Sequence, residues 1–210
     1  MRLGSLGSTR PVSHAWGYER GQPVDRWYIE RFLEENRGDI TGRVLEVKDS
    51  AYTDRYGHDL EERAVLDVDP GNERATYVAD LAAADTVPSE TFDCFVLTQT
   101  LQYVFDVRAA LGHAHRVLRP GGVLLLTLPM VSRLTDPPLT DYWRFTPLAA
   151  ERMLEEAFAP GEVEVEGRGN VLAQVAFLEG LASEDLAEAE LGVDDAHLPL
   201  LVCARAVRAA

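Results

Sequence analysis

The chain has 210 residues, 46% of them hydrophobic, and sets 20 Lys and Arg against 35 Asp and Glu for a formal net charge of −15. That length suits one well-buried α/β domain, expected here over residues 1–210, and is short for two. The acidic field repels phosphate backbones and anionic membrane surfaces and so argues against nucleic acid or membrane as a partner. Cys94 and Cys203 both lie in apolar runs and read as small buried hydrophobes, not as a disulfide or a metal pair. No apolar run approaches the ~20 residues of a membrane span, and the opening MRLGSLGSTRPVSHAWG lacks the apolar core of a secretory signal, so residence in the cytoplasm is expected.

The aperiodic Gly, Ser, Pro and Arg of residues 1–24 predict an irregular arm. A helix follows, with Asp25 as its cap and an apolar stripe of Trp27, Tyr28, Phe32 and Leu33 that ends before Gly38; together, residues 1–38 are expected to cover a cleft. Strands are predicted at Arg43 to Val47, Ala64 to Val68, Ala75 to Val78, Phe92 to Leu97 and Val123 to Leu128, with polar residues 48–57 as a loop. Val107, Leu111, Ala114 and Leu118 recur at helical spacing between the last two strands, and Arg119-Pro120-Gly121-Gly122 stops that helix. The unit reads as a βαβ crossover, with Thr98-Gln99-Thr100 at the carboxyl end of its first strand, where open parallel sheets bind small molecules.

Asp136 opens an aperiodic segment running through DYWRFTP, before a helix from Pro147 to about Phe158. Glu162 to Glu166 alternates as a half-exposed strand, Asn170 to Leu181 reads as a helix, and an acidic second piece begins at the cap Ser183. Leu198 to Val207 is the last strand. The acidic piece is either solvated or covers a partner, which leaves a homodimer open. His113 and His115 lie too close to alternate faces of one helix to bind a metal together, and His58 and His197 fall in loops, so no metal site is expected.

Glu46 on the first strand, an acid after the second, Asp80 after the third and LRPGGVLLLTLP at the fifth make the order of parts resemble a class I S-adenosylmethionine-dependent methyltransferase. More narrowly, PVSHAWGYERGQPVDRWYIERFL, VLEVKDSAYTDRYG, VADL, DYWRFTP and GNVLAQVAFLEGLA are similar to a bacterial group of small methyltransferase-domain proteins often encoded with glycosyltransferases. The resemblance implies a three-layer, Rossmann-like sheet of seven mostly parallel strands with an antiparallel last strand. It also implies S-adenosyl-L-methionine as cofactor and O-methylation of a small polar or glycosylated metabolite. The competing reading is a methyltransferase fold without methyl transfer, either a repurposed catalyst or a binding partner of a related enzyme.

On the cofactor side the resemblance points to Glu46, which would orient the amino-acid end through the adjoining loop, and to Asp80 and Leu81 for adenine. A strand carboxylate capping nearby backbone is the plainer reading of Glu46. Asp67 and Asp69 compete for the ribose diol, whose two hydroxyl donors match a carboxylate. Asp49, Tyr52 and Thr53 preserve the group's acid-x-x-Tyr-Thr arrangement, whereas Lys48 stands where glycine is expected and either faces solvent or a local acid, acts directly, or excludes the cofactor. Thr98 and Gln99 are delivered to the cleft by their strand end.

Arg20 to Tyr28 and Asp136 to Thr146 are the acceptor-side segments. Arg20, Arg26, Tyr28, Tyr103, Tyr142 and Trp143 are the binding candidates there, aromatic faces suiting a sugar ring or a sulfonium. Arg144 would clamp a phosphate or carboxylate, unless it pairs internally with Asp141, and Tyr103 is otherwise read as packing a helix start. Asp141 and His14 are the candidate bases should the acceptor hydroxyl need to lose its proton.

Overall fold

Alternation of side chains along the central strands decides the architecture. In the computed structural model, which describes residues 8–135, 140–159 and 161–209, seven strands form one sheet in the order β3-β2-β1-β4-β5-β7-β6. They are β1 (Gly42–Val47), β2 (Leu60–Asp67), β3 (Tyr77–Val78), β4 (Phe92–Thr98), β5 (Leu118–Pro129), β6 (Val163–Arg168) and β7 (Leu201–Val207). The first five run parallel, and β7 lies antiparallel to both β5 and β6. Leu45, Phe95, Leu97, Leu124 and Leu126 bury one face of the sheet, while Val44, Cys94, Val96, Leu125 and Cys203 bury the other.

Helices cover both faces. The face of Leu124 packs against α3 (Val107–Val117) and α4 (Pro147–Phe158), and the face of Leu125 packs against α1 (Val24–Glu35), α2 (Ala51–Tyr56), α5 (Val171–Glu179) and the short α6 (Glu188–Leu191). Side-chain caps explain several starts: Asp106, Thr146 and Asn170 each accept from a backbone N–H of the turn they open.

Four local expectations are corrected. Asp25 is not a cap: α1 begins at Val24 behind Pro23, placing Asp25 in the first turn with its side chain available elsewhere. The loop predicted over 48–57 contains α2, a helix too short for its apolar period to show in the sequence. Leu118 leaves the helix and already pairs with Phe92, so Arg119 to Gly122 form an irregularity inside β5 in place of a turn before it. Ser183 lies within a 3-10 turn, Ser183–Asp185, that starts behind Ala182.

The arm is seated by backbone contact over α5. Ser13 N–H donates to the Glu179 carbonyl at 2.9 Å, Ser183 N–H donates to the Gln22 carbonyl at 2.7 Å, and Pro23 bridges to Ala182. Two glycines make that approach possible. A Cβ on Gly17 (φ +91°) would lie 2.6 Å from the Leu181 carbonyl oxygen, and one on Gly180 (φ +72°) 2.5 Å from that of Ser13. We therefore expect Gly17→Ala to unseat the arm, raising the rate of limited proteolysis between residues 8 and 23 while costing the global stability no more than about 1–3 kcal/mol.

Candidate functional site

Glu46 sets the geometry at the carboxyl end of β1. Its residue is only 3% exposed, and its two carboxylate oxygens accept from the backbone N–H groups of Tyr52 (3.1 Å) and Thr53 (2.8 Å) at the start of α2. Two oriented donors and the positive end of a helix turn compensate the buried carboxylate. Burial still dominates and pushes its pKa up from 4.5 to about 7, against the lowering effect of the Thr53 and Tyr52 donors.

Between Glu46 and α2 the chain turns at Lys48, which takes φ +76° and exposes its side chain. Its backbone does the work of the turn: the N–H donates to the Leu66 carbonyl at 2.9 Å, and its carbonyl accepts from Asn72 Nδ2 at 2.7 Å. The glycine expected at this position is thus a conformational requirement that Lys48 meets under strain. Lys48 forms no ion pair among the described residues, and neither Glu46 nor Asp49 attracts it. Asp49 instead closes a turn by accepting from Ala51 N–H at 3.0 Å.

The same amide of Asn72 donates to Asp67 Oδ2 at 2.7 Å, joining the ends of β1 and β2. Asp67 Oδ1 accepts from Asp69 N–H at 3.1 Å, and the exposed Asp69 accepts from Gly71 N–H at 2.8 Å. Asp80 caps the turn Leu81–Ala83 through Oδ1, while Leu81 is buried beneath it.

The exit from β4 repeats the exit from β1. Gln99 directly follows Thr98 and takes φ +45°, so a non-glycine residue in left-handed conformation stands after each of the two adjacent strands. Gln99 Nε2 is buried without a hydrogen-bond partner, as is Oε1 of Gln102, a residue whose Nε2 donates to the Gln99 carbonyl at 2.8 Å.

Gln99, Gln102 and Tyr103 line a cleft of about 180 Å³. Its other walls are Trp16, Tyr18, Pro23, Asp25 and Arg26 from the arm and α1, Ser132 and Thr135 after β5, and Phe177 of α5. Trp16 is held from behind by Arg133, whose guanidinium carbon lies 4.3 Å from the ring centroid. Trp16, Tyr18, Ser132, Thr135 and Phe177 were not legible as site residues, because nothing periodic links the arm to the segment after β5. The backbone contacts of the arm over α5 and the stacking of Arg133 on Trp16 bring them together.

Several sequence-based candidates lie elsewhere. His14 is exposed and borders a separate groove with Arg10, Arg133 and Glu179, away from the cleft. Tyr28 is 2% exposed and donates its hydroxyl to the Leu191 carbonyl at 2.8 Å, so it is a core residue; burial raises its pKa to about 12. Arg20 forms a two-point ion pair with Asp185 at 2.9 and 2.8 Å and pins the arm. Tyr142 and Trp143 sit outside the cleft walls, packed around the exposed Phe105 at centroid distances of 5.3 and 5.8 Å. Asp136 to Leu139, the start of the second acceptor segment, lie outside the described residues.

Asp141 and Arg144 are bound to one another. Arg144 reaches Asp141 Oδ1 at 2.5 Å and Oδ2 at 3.2 Å and donates to the Arg133 and Trp143 carbonyls at 2.9 and 2.7 Å. The Asp141 side chain is 1% exposed and also accepts from Thr135 N–H. Burial would raise its pKa, but Arg144 and Thr135 hold it below the ordinary carboxylate value, the opposite of what a general base requires. Both side chains therefore fold the loop after β5. Among the described residues, no group of three or more His, Cys, Asp and Glu is placed to hold a metal ion, and no helix is long and apolar enough to cross a membrane.

Residues 38–126, which contain β1 to β4, α2, α3 and most of β5, match the methyltransferase domain family. No curated protein sequence matches the chain. Solved structures match its fold. One is phosphoethanolamine N-methyltransferase 2 of Haemonchus contortus, in complex with phosphomonomethylethanolamine and S-adenosylhomocysteine, with a TM-score of 0.58 and 14% identity over 88% of this chain and 53% of that one. This is the class I methyltransferase fold. A S-adenosylmethionine-dependent methyltransferase of Archaeoglobus fulgidus matches over 87% of this chain and 94% of its own, at 13% identity and a TM-score of 0.58. Another from Mesorhizobium loti matches over 88% and 100%, at 18% and 0.57. The chain spans about half the length of the Haemonchus enzyme. In a methyltransferase fold, the strand exits holding Glu46, Lys48 and Gln99 are the carboxyl-end crevice where ligands of open α/β sheets bind.

Two measurements check this geometry. Because the Glu46 pKa is raised on folding, its contribution favours the folded state fully below pH 4.5 and is lost as pH rises to about 7. Urea denaturation of the ligand-free protein should show a loss on the order of 3 kcal/mol across that window, which Glu46→Gln flattens. Arg144→Ala strands the buried Asp141 carboxylate and should cost about 3 kcal/mol, of which the double variant with Asp141→Asn regains a part.

Proposed function

We propose that the chain is an S-adenosylmethionine-dependent methyltransferase that methylates a hydroxyl of a small polar or glycosylated metabolite in the cytoplasm. The observation that carries this reading is the cleft itself: it opens past the carboxyl ends of β4 and β5, at the strained exit of β4, and Gln99, Gln102 and Tyr103 of its walls fall within the stretch matching the methyltransferase domain family. The structural neighbours named for S-adenosylmethionine or bound to S-adenosylhomocysteine support the choice of cofactor.

The residues present suit that cofactor. Asp80 has one carboxylate oxygen without a partner among the described residues, which fits an adenine amino donor. Asp67 stands at the end of β2, and each of its oxygens accepts a single hydrogen bond, leaving capacity for ribose hydroxyls. Gln99 Nε2 is a buried donor in want of an acceptor, and Glu46 shapes the loop through Tyr52 and Thr53. When bound, S-adenosylmethionine supplies a methyl group activated by its sulfonium. The protein's share is positioning and exclusion of water, for which Trp16, Tyr18, Tyr103 and Phe177 provide the walls.

Lys48 directs its side chain to solvent and does not favour the reading in which it bars the cofactor. Thermal and urea unfolding with S-adenosylhomocysteine test the proposal. At about a hundred times its dissociation constant the ligand should add ~2.7 kcal/mol, and Lys48→Gly should give the same increment. A folded protein unmoved by millimolar ligand would overturn the methyltransferase reading.

A further inference from the structure

Helix α5 carries apolar side chains on its outer arc as well as its inner one. At about 100° per residue, Leu178, Val171, Val175 and Leu172 fall within roughly 120° of its circumference, while Ala173, Ala176 and Phe177 occupy the opposite arc and are buried in the core. The first arc faces outward: Val171, Leu172 and Leu178 are 53%, 41% and 42% exposed. A helix apolar on both arcs is ordinarily covered on both, and a continuous exposed stripe of this kind marks an interaction surface.

The two ends of the stripe carry opposite charge. At the carboxyl-terminal end, Val175 and Leu178 share a groove of about 580 Å³ with Arg10, His14 and Arg133. Glu179, the acid among its walls, accepts from Val12 N–H; Arg10 and Arg133 form no ion pair among the described residues, and Arg133 Nη1 is buried without a hydrogen-bond partner. At the amino-terminal end lies the segment 190–195. Asn170 Nδ2 donates to the Glu190 and Val193 carbonyls at 2.8 and 2.7 Å, and Gly169 N–H donates to Asp194 Oδ1 at 2.6 Å. These bonds hold Glu190, Asp194 and Asp195 around the exposed Val193, and none of the three carboxylates forms an ion pair among the described residues. An apolar and basic groove at one end of α5 thus has its chemical complement, an apolar side chain among acids, at the other.

We propose that this face is the interface of a two-fold homodimer in which α5 packs antiparallel against α5 of a second copy. A two-fold axis crossing the helix at Val175 lays Leu172 of each copy on Leu178 of the other and sets each basic groove beside the acidic segment of the other copy, so that every contact is made twice. A second copy carries the stripe, the acidic end and the basic end in the required order, whereas any other partner would have to supply all three. The helix alone is only about 14 Å long, and the groove and the acidic segment extend the contact towards the ~800 Å² per partner of a specific interface. Pairing of opposite charges at both ends also offsets the repulsion between two chains of net charge −15. Because Arg133 stacks on Trp16, a wall of the cleft, the interface bears on the cleft from behind.

Sedimentation equilibrium of the full chain tests this. The wild type should show the mass of two chains at a concentration on the order of 100 μM. Leu172→Glu or Leu178→Glu, each of which brings two like charges into the stripe, should raise the dimer dissociation constant more than ~100-fold, and Arg10→Glu should raise it ~10-fold. Leu148→Glu, at an exposed leucine of α4 outside this face, is the control and should leave it unchanged. The substituted leucines are exposed in the single chain, so the variants should keep its far-ultraviolet circular dichroism. Cross-linking reads the orientation. Val175→Cys should form a disulfide between copies under mild oxidation, whereas Leu172→Cys should do so only when mixed with Leu178→Cys, because two copies of residue 172 lie about 9 Å apart along antiparallel helices. Cys94 and Cys203 are fully buried and stay silent. A chain that remains monomeric, a dimer indifferent to both glutamates, or one cross-linked through Leu172→Cys alone overturns the proposal. In a monomer, octanoate binding by calorimetry would mark the groove instead as a site for a small amphipathic anion.

Discussion

A buried carboxylate and the two backbone donors that satisfy it hold the functional end of this protein in shape. Glu46 sits at the end of a central strand, in register with Val65 and Val96, where only apolar neighbours would otherwise surround it. Its cost is met by turning the chain so that the first N–H groups of α2 point back at it. That turn forces Lys48 into the left-handed region, and the exposed backbone carbonyl of Lys48 then becomes an anchor for Asn72 and, through it, Asp67. One electrostatic constraint thus orders the exits of two strands.

The opposite side of the cleft is ordered by different means. The segment after β5 is folded on the Asp141–Arg144 pair, and Phe145 N–H ties it to the Pro129 carbonyl. Tyr142 N–H donates to the Gln102 carbonyl, joining this segment to the exit of β4. The arm is laid over α5 by backbone contacts through Gly17 and Gly180, and Arg133 stacks on Trp16 to connect arm and loop. Polar groups that look like catalytic equipment in the sequence, Asp141, Arg144 and Arg20, are consumed in this scaffolding. Asp25, which reads as helix chemistry, is left facing the cavity.

Much of the fold was legible because the signals are short-ranged. The apolar runs of β4 and β5, the helical spacing of Val107, Leu111 and Ala114 and the proline at the start of α4 each report a local periodicity or a fixed φ that tertiary contacts did not overrule. Gln99 was legible for the same reason, as the residue just after a recognisable strand, whereas Glu46 was singled out by the resemblance to a methyltransferase motif. The failures have local causes as well: α2 spans six residues and shows no period, and the polar 119–122 stretch sits within a strand pairing that only β4 supplies.

By itself, the sequence determined the alternation of strands and helices, the burial of both cysteines and the strand exits at which a ligand site would lie, since all of these follow from side-chain periodicity and chain geometry within a few residues. Only the tertiary structure decided which charges are spent and which remain available. Arg20 finds Asp185 across 165 residues of chain, while Asp25 and Arg26, adjacent in sequence, feel each other's charge but form no salt bridge among the described residues. Charge pairing depends on distances that long-range packing sets, so residue type and spacing report that a group is charged but not whether its charge is already neutralised.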